Sequence, residues 1–128
     1  MTVEVVCTVV RDTLGLPPDA EVRADQLLFY DLAFTSLDLL DLLYRLEEHF
    51  EISIPEGTLY GLARGEVDDA AFADTGHLTP LGRERLMALL SDSPATIFPD
   101  RIHVQTLPRF CTVAAIARLV DHKLAVRG

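Results

Sequence analysis

The chain has 128 residues, of which 49% are hydrophobic and only 7% aromatic, with no tryptophan. This length predicts one domain with a single modest core, and the composition predicts an interior of leucine, valine and alanine, as in helical bundles. The formal net charge of −9 argues against nucleic acid or an anionic membrane as partner, because both would repel the protein, and favours basic protein surfaces.

The first predicted element is a helix over residues 2–14, in which valines recur on one face at helical spacing before Gly15 gives a stop signal. Glu4 and Arg11 interrupt its apolar residues. We therefore predict neither a signal peptide nor a membrane span, and expect a cytoplasmic protein.

A long loop is predicted over residues 15–34, which are rich in proline and aspartate, with a turn of helix near residues 24–27. A loop of this length in a compact domain is usually functional or held by buried side chains. The side chains expected to hold it are Val22, Leu27, Leu28, Tyr30 and Phe34.

A second helix is predicted to start at a capping box, because Thr35 is followed three residues later by Asp38. Ser36 then lies in the first helical turn. The helix extends to Phe50, and its apolar residues predict a broad buried face. That face comprises Leu37, Leu39, Leu40, Leu42, Leu43, Leu46 and Phe50, and the opposite face carries Asp38, Asp41, Arg45, Glu47 and Glu48.

The middle of the chain mixes helical and irregular signals. Ile54 and Pro55 predict a short extended segment that ends the second helix. We predict a small helix over residues 59–62 and an acidic, mobile loop over residues 65–76. Thr79 and Pro80 predict the cap and first position of another helix.

The last part of the chain predicts one extended segment and one helix. Residues 102–107 alternate in polarity, which indicates an extended segment without a visible sheet partner. Thr112 is a predicted N-cap for a final helix. The apolar stripe of this helix comprises Val113, Ile116, Leu119, Val120 and Leu124.

Several of these segments together resemble the acyl carrier protein family. Residues 31–38 read Asp-Leu-Ala-Phe-Thr-Ser-Leu-Asp, and an acidic leucine-rich helix, Leu-Glu-Glu-His-Phe, Ile-Pro and a final Thr-Val helix follow in that order. The resemblance implies an all-α, acyl carrier protein-like four-helix bundle. It implies a single domain over residues 1–128, with an inserted helical or irregular segment at residues 57–111.

The resemblance also implies a cofactor and a role. In that family the matching serine, here Ser36, carries a 4′-phosphopantetheine arm through a phosphodiester, and the arm holds acyl groups as thioesters. The chain would then be a carrier in fatty acid or polyketide biosynthesis and not an enzyme. Thr35 stands where the family usually has an aspartate that helps to hold the transferase's metal, so we expect slow modification by a general transferase.

The implied partners are a phosphopantetheinyl transferase and acyl-transferring or acyl-activating enzymes with basic docking patches, and the chain would be a monomer. The matching acidic positions for docking are Asp31, Asp38, Asp41, Glu47 and Glu48. Two alternatives stay open. One is an unmodified, carrier-like interaction module, and the other is an aminoacyl or peptidyl carrier of nonribosomal synthesis, which usually has glycines before the serine.

Other reactive residues carry no site signal. Cys7 and Cys111 lie in apolar helical contexts, which predicts buried thiols and not a disulfide. The four histidines lack the spacing of metal ligands. No Gly-x-Ser-x-Gly elbow surrounds Ser36, so a hydrolytic triad is not predicted.

Overall fold

The structure is a computed structural model and describes residues 2–127. Its helices are α1 (Thr2–Leu14), α2 (Ser36–Phe50), α3 (Thr58–Arg64), α4 (Asp69–Phe72), α5 (Pro80–Leu89) and α6 (Val113–Arg127). Two short antiparallel strands, β1 (Ala73–Asp74) and β2 (His77–Leu78), form a hairpin, and 3₁₀ helices cover Ala95–Ile97 and Val104–Phe110. This mostly helical architecture confirms the all-α prediction.

The contacts of the chain divide it into two compact units. Unit 1 joins the chain up to Ile54 with the chain from Thr112 onward, and unit 2 is Pro55–Cys111. Unit 1 contains α1, α2 and α6, each of which was predicted from an apolar stripe. A single domain over residues 1–128 with an insertion at residues 57–111 stays a prediction.

Unit 1 is a small helical bundle in which α1 packs against both α2 and α6. Its largest fully buried side chains are leucine and valine, which confirms the predicted type of core. They include Val6 and Val10 of α1, Leu42 and Leu46 of α2, and Val113 and Val120 of α6.

The predicted buried face of α2 is too broad. Leu42 and Leu46 are buried, but Leu37 and Leu40 are 77% and 64% exposed. Residues 37 and 40 lie on the opposite side of a 3.6-residue helix from residues 42 and 46. A helix cannot pack two opposite sides against the same neighbours. Leu42 and Leu46 therefore face the core, and Leu37 and Leu40 face solvent.

The loop between α1 and α2 is held by buried side chains, as predicted for Val22, Leu27, Leu28 and Phe34. The prediction for Tyr30 is wrong, since its side chain is 56% exposed.

The predicted turn of helix near residues 24–27 is also wrong. The N–H groups of Val113 and Ala114, at the start of α6, donate to the carbonyls of Gln26 and Ala24 at 3.0 and 2.9 Å. A single antiparallel bridge pairs Leu27 with Thr112. Residues 24–25 form a turn closed by the bond from the N–H of Gln26 to the carbonyl of Arg23 at 3.2 Å. The first turn of α6 needs acceptors for its orphan N–H groups, and this loop supplies them.

Unit 2 follows the predictions for its helices and departs from those for its loops. α3 and α5 lie where they are predicted, and Thr79 caps α5 by accepting from the N–H of Gly82 at 3.0 Å. The predicted acidic loop over residues 65–76 is wrong as an irregular segment, because it contains α4 and β1. Phe72 supplies the reason: its ring is fully buried and packs edge-on against Tyr60, which anchors the segment. Mobility of this segment stays a prediction.

The predicted extended segment over residues 102–107 is only partly extended. His103 pairs with His77 through an antiparallel bridge, so β2 does provide a partner. The Nδ1 atom of His103 then accepts from the N–H of Gln105 at 3.1 Å and caps the 3₁₀ helix that follows. The extended conformation predicted from the alternating polarity is therefore limited to the bridge at His103, and a 3₁₀ helix follows it.

None of the helices within residues 2–127 combines the length and apolarity that a membrane crossing requires.

Candidate functional site

Ser36 is the first residue of α2, and its side chain is exposed. The preceding residue forms the cap: Thr35 Oγ1 accepts from the N–H of Asp38 at 3.2 Å, and Asp38 Oδ2 accepts from the N–H of Thr35 at 2.9 Å. This capping box confirms the prediction. The cap uses the hydroxyl of Thr35 and not that of Ser36, so Ser36 Oγ is held at the helix start and presented to solvent.

The surroundings of Ser36 suit a phosphodiester on its hydroxyl. The free N–H groups of a helix N-terminus and the helix dipole favour negative charge there. α2 has 15 residues, long enough for a developed dipole. An exposed first-turn hydroxyl also allows a long substituent to extend away from the protein. The residues present therefore fit the group that the family resemblance implies.

The chain enters α2 through a constrained turn. Phe34 is 5% exposed, and its N–H donates to the carbonyl of Leu28 at 3.0 Å. Ala33 has a φ of 56°, the left-handed region that a residue with a Cβ rarely adopts. No glycine marks this position in the sequence, so sequence reasoning had no signal for the turn.

Asp31, predicted to be a docking residue, is bonded to the backbone of its own loop. Its Oδ2 atom accepts from the N–H of Leu27 at 2.7 Å. Asp38, a second docking candidate, is committed to the capping box. Both carboxylates lie within five residues of Ser36 in the sequence, and each has a local structural role.

The other predicted docking carboxylates also have partners within unit 1. Asp41 pairs with Arg45 at 3.1 Å, one turn apart on α2. Glu47 Oε2 accepts from the N–H of Ile54 at 2.7 Å. Glu48 accepts a hydrogen bond from Tyr44, and this bond raises the pKa of the Tyr44 hydroxyl. At 1.5 Å per residue, Glu47 and Glu48 lie roughly 17 Å along the helix from Ser36.

Sequence reasoning missed an apolar surface beside Ser36. Leu37, Leu40 and Tyr44 are 77%, 64% and 58% exposed, and their spacing places them on one side of α2. We call these three residues the exposed stripe. Clustered apolar side chains of this kind mark contact surfaces more often than scattered ones do. The signal was present in the sequence, because α2 has more leucines than one buried stripe can hold.

The two cysteines are buried and do not form a disulfide, as predicted. Burial raises the pKa of the Cys7 thiol, which makes it less reactive. Within the described part of the chain, no group of three or more histidine, cysteine, aspartate or glutamate side chains is placed to hold a metal ion.

Comparison with known proteins gives a consistent result. Residues 4–64 match the family described as phosphopantetheine attachment site. The chain is 41% identical over 70 residues to acyl carrier protein 2, chloroplastic, of Hordeum vulgare, which covers 55% of this chain and 52% of that protein. It is 40% identical over 70 residues to acyl carrier protein 3, chloroplastic, of the same plant, covering 55% and 51%.

A third relative is acyl carrier protein 1, chloroplastic, of Casuarina glauca, with 39% identity over 70 residues, covering 55% of this chain and 49% of that protein. The chain spans about half the length of the curated relatives it matches. No solved structure matches it.

Proposed function

Because this chain contains a domain of the acyl carrier protein family, whose cofactor is covalent 4′-phosphopantetheine, we propose that it carries acyl groups on an arm joined to Ser36. The observation that supports Ser36 most directly is its position as the exposed first residue of α2, directly after a complete capping box. The relatives' names fit fatty acid biosynthesis as the pathway. They are chloroplastic by name, so they give no support to a cytoplasmic location for this chain, which stays a prediction.

When bound, the arm supplies a terminal thiol that holds an acyl group as a thioester. The chain's own residues hold and present the attachment point. The N-terminus of α2 stabilises the phosphodiester charge, and Thr35 and Asp38 keep the first turn of the helix formed. Tethering keeps the acyl group at high effective concentration wherever the carrier docks. Carriers of this family are not catalysts.

Docking in this family involves the transferase and acyl-handling enzymes, and we assign it here to α2. Asp41, Glu47 and Glu48 attract basic patches and raise the association rate, an effect that salt screens. The exposed stripe supplies apolar area whose burial on contact is worth about 25 cal/mol per Å². The charges would therefore determine the rate of association, and burial of the exposed stripe would stabilise the docked complex.

The attachment site is tested by intact mass after incubation with coenzyme A and a phosphopantetheinyl transferase. We expect the wild type to gain one arm and Ser36→Ala to gain none. Ser53→Ala is the matched control, because Ser53 is also exposed but lies outside a helix start. A gain of mass by Ser36→Ala would contradict the assignment. A wild type that stays unmodified would favour the alternative of an unmodified interaction module.

The buried cysteines offer a second readout. Cys7 and Cys111 are 8% and 2% exposed, so a thiol reagent should react slowly with the folded, unmodified protein. The arm's thiol is exposed, and we expect one fast-reacting thiol to appear per arm transferred. If the fast-reacting thiol were absent from protein that carries the arm's mass, the arm would be sheltered and not presented.

The docking role of α2 is tested with Glu48→Lys, which reverses an exposed charge on α2. We expect kcat/KM for arm transfer to fall several-fold at low salt and to recover partly at high salt. Glu84→Lys makes the same change on the exposed side of α5 and should stay within about twofold of wild type, since surface charges away from a contact have little effect. Equal losses in both variants would indicate an effect of net charge and not of α2.

A nonribosomal carrier is the remaining alternative. The residues before Ser36 are Ala33, Phe34 and Thr35, without the glycines that such carriers usually have. The attached group on protein purified from its natural source separates the two, because an aminoacyl or peptidyl group would replace the acyl group that we propose.

A further inference from the structure

Asp31 and Leu27 exchange two hydrogen bonds across the loop that leads to Ser36. The Oδ2 atom of Asp31 accepts from the N–H of Leu27 at 2.7 Å, and the N–H of Asp31 donates to the carbonyl of Leu27 at 2.9 Å. The N–H of Leu32 reaches the same carbonyl at 3.1 Å. These bonds close a compact turn over residues 27–32.

The carboxylate of Asp31 satisfies a donor that water reaches poorly. Leu27 is 5% exposed, and it sits in the bridge with Thr112, so its surroundings are fixed by the start of α6. A shielded N–H without an acceptor costs more free energy than the bond itself contributes. Removal of the carboxylate should therefore open the turn.

The closed turn determines how the chain enters α2. Only residues 32–34 separate Asp31 from the cap residue Thr35, and they include Ala33 in its left-handed conformation. Alanine does not hold that conformation by itself. The bond from the N–H of Phe34 to the carbonyl of Leu28 and the Asp31 bond fix the two ends of this short segment.

We propose that Asp31 is a positioning residue for modification at Ser36, acting as a hydrogen-bond acceptor in its own loop and not as a docking charge. The proposal rests on the proposed function. Asp31 closes the turn over residues 27–32, the turn fixes the direction of the chain through Ala33, and the first turn of α2 then presents Ser36 Oγ to the transferase in one orientation. The acceptor atom matters, and the charge does not.

Three variants separate the acceptor from the charge. Asp31→Asn removes the charge but keeps a side-chain oxygen at the same reach, whereas Asp31→Ala removes both. Asp25→Ala is the matched control, since Asp25 is an exposed carboxylate of the same loop that pairs with Arg23. We expect kcat/KM for arm transfer to fall about tenfold in Asp31→Ala, as loss of the acceptor for a shielded N–H implies, and to stay within about twofold of wild type in the other two.

Two further measurements give readouts beyond the rate. The deficit of Asp31→Ala should be the same at low and high salt, whereas a lost docking charge gives a deficit that shrinks with salt. Hydrogen exchange at the Leu27 amide, measured without transferase, should speed up about tenfold or more in Asp31→Ala and stay near wild type in Asp31→Asn.

Equal loss of transfer rate in both Asp31 variants would overturn the positioning role and restore the docking role. An unchanged rate in Asp31→Ala would overturn both roles. If Asp31→Ala does not fold, Asp31→Asn decides the question. Slow transfer of the arm to Asp31→Asn would contradict the positioning role. A wild type that takes no arm overturns the proposed function and the positioning role together, which distinguishes that failure from the others.

Discussion

Unit 1 and unit 2 hold their helices in place by different means. Unit 1 is built on three helices of 13, 15 and 15 residues, each with leucines or valines buried along one side. The α-helices of unit 2 have 7, 4 and 10 residues. Helices of that length have only about one to three turns, so each of them can bury only a few side chains.

Unit 2 compensates with hydrogen bonds from side chains to distant carbonyls. Arg83 donates to the carbonyls of Pro99 and Phe98 at 2.8 and 2.9 Å, and Arg85 donates to that of Ala63 at 3.0 Å. The buried hydroxyl of Ser93 donates to the carbonyl of Phe110 at 2.6 Å. Unit 1 contains such a bond too, from Arg11 to the carbonyl of Ala20 at 2.6 Å, whereas Arg45 pairs with an exposed carboxylate one turn away. Long apolar stripes therefore contribute more to unit 1, and side-chain bonds to distant carbonyls recur in unit 2.

The largest effect should follow from Gly82→Ala in α5. A Cβ at Gly82 would lie 2.1 Å from the carbonyl oxygen of Phe72, a distance that only movement of the backbone can relieve. We expect unit 2 to lose about 3 kcal/mol or more of its stability. Urea unfolding followed by circular dichroism measures this. Gly61→Ala in α3, where nothing lies within 4 Å, is the control and should be neutral or stabilising by up to about 1 kcal/mol. Similar values for both variants would contradict the close contact.

The same substitution at two helix caps should give different results. Thr79 donates its hydroxyl to the carbonyls of Ala71 and Phe72 while it accepts from Gly82. Thr79→Asp removes the donor and sets a carboxylate against carbonyl oxygens, which should cost about 2 kcal/mol. Thr35 also donates, to Asp38 Oδ2 at 3.1 Å, but it is exposed. Water can therefore solvate both carboxylates in Thr35→Asp, and because both residues cap well the cost should stay within about 1 kcal/mol. Paired unfolding curves at one pH measure the difference, and equal costs would remove this contrast between the units.

Thr35→Asp has a second expected outcome. It restores the carboxylate that the family usually has before its serine, so arm transfer to Ser36 should become faster. Timed intact-mass measurements of wild type and variant under one set of conditions test this. Equal or slower transfer would mean that Thr35 is no handicap and that the transferase recognises other contacts.

Loss of Arg83 in unit 2 should matter more than loss of Arg45 in unit 1. Arg83→Ala leaves two carbonyls without their donor and should cost about 1–2 kcal/mol. Arg45→Ala removes an exposed pair with Asp41 and should cost about 0.5 kcal/mol or less. Chemical denaturation of both variants measures the two costs. A cost for Arg45→Ala that matches the one for Arg83→Ala would show that the two units are not held differently.

The smallest expected effect is a gain in stability from Ala33→Gly. Glycine adopts the left-handed conformation of residue 33 without strain, so the variant should be more stable by up to about 1 kcal/mol. Ala20→Gly, in the same loop, should be less stable than wild type by about 0.5 kcal/mol, since Ala20 has no positive φ. The two melting temperatures should therefore move in opposite directions. Destabilisation by Ala33→Gly would show that residue 33 carries no strain.

Local signals were read correctly from the sequence. α1, the capping box of Thr35 and Asp38, and the caps at Thr79 and Thr112 each depend on residues within one or two turns. The position of Ser36 at the helix start follows from the same kind of signal. These predictions succeed because the hydrogen bonds concerned join neighbours in the chain.

Nonlocal partners could not be read. The exposure of Tyr30 and Leu37 depends on where other helices pack. The bridge between Leu27 and Thr112 joins the two chain segments that form unit 1. The docking role predicted for the carboxylates of α2 stays a prediction. The sequence did not reveal that Glu47 also accepts from the N–H of Ile54, because that bond depends on the path of the chain after the helix. Asp31 shows the same limit, because a charge in a sequence does not reveal which N–H it meets.

The hydrogen bonds from Val113 and Ala114 to the loop before α2 have a consequence for folding during synthesis. Their acceptors, Ala24 and Gln26, leave the ribosome early, but the donors emerge only after the whole of unit 2. Domains generally fold as units as the chain is made, so Pro55–Cys111 can become compact while this loop still lacks its partners. We expect a nascent chain arrested before residue 112 to present Ser36 behind an unfixed loop and to be a poor transferase substrate. The order of synthesis would thus delay arm attachment until α6 has been translated.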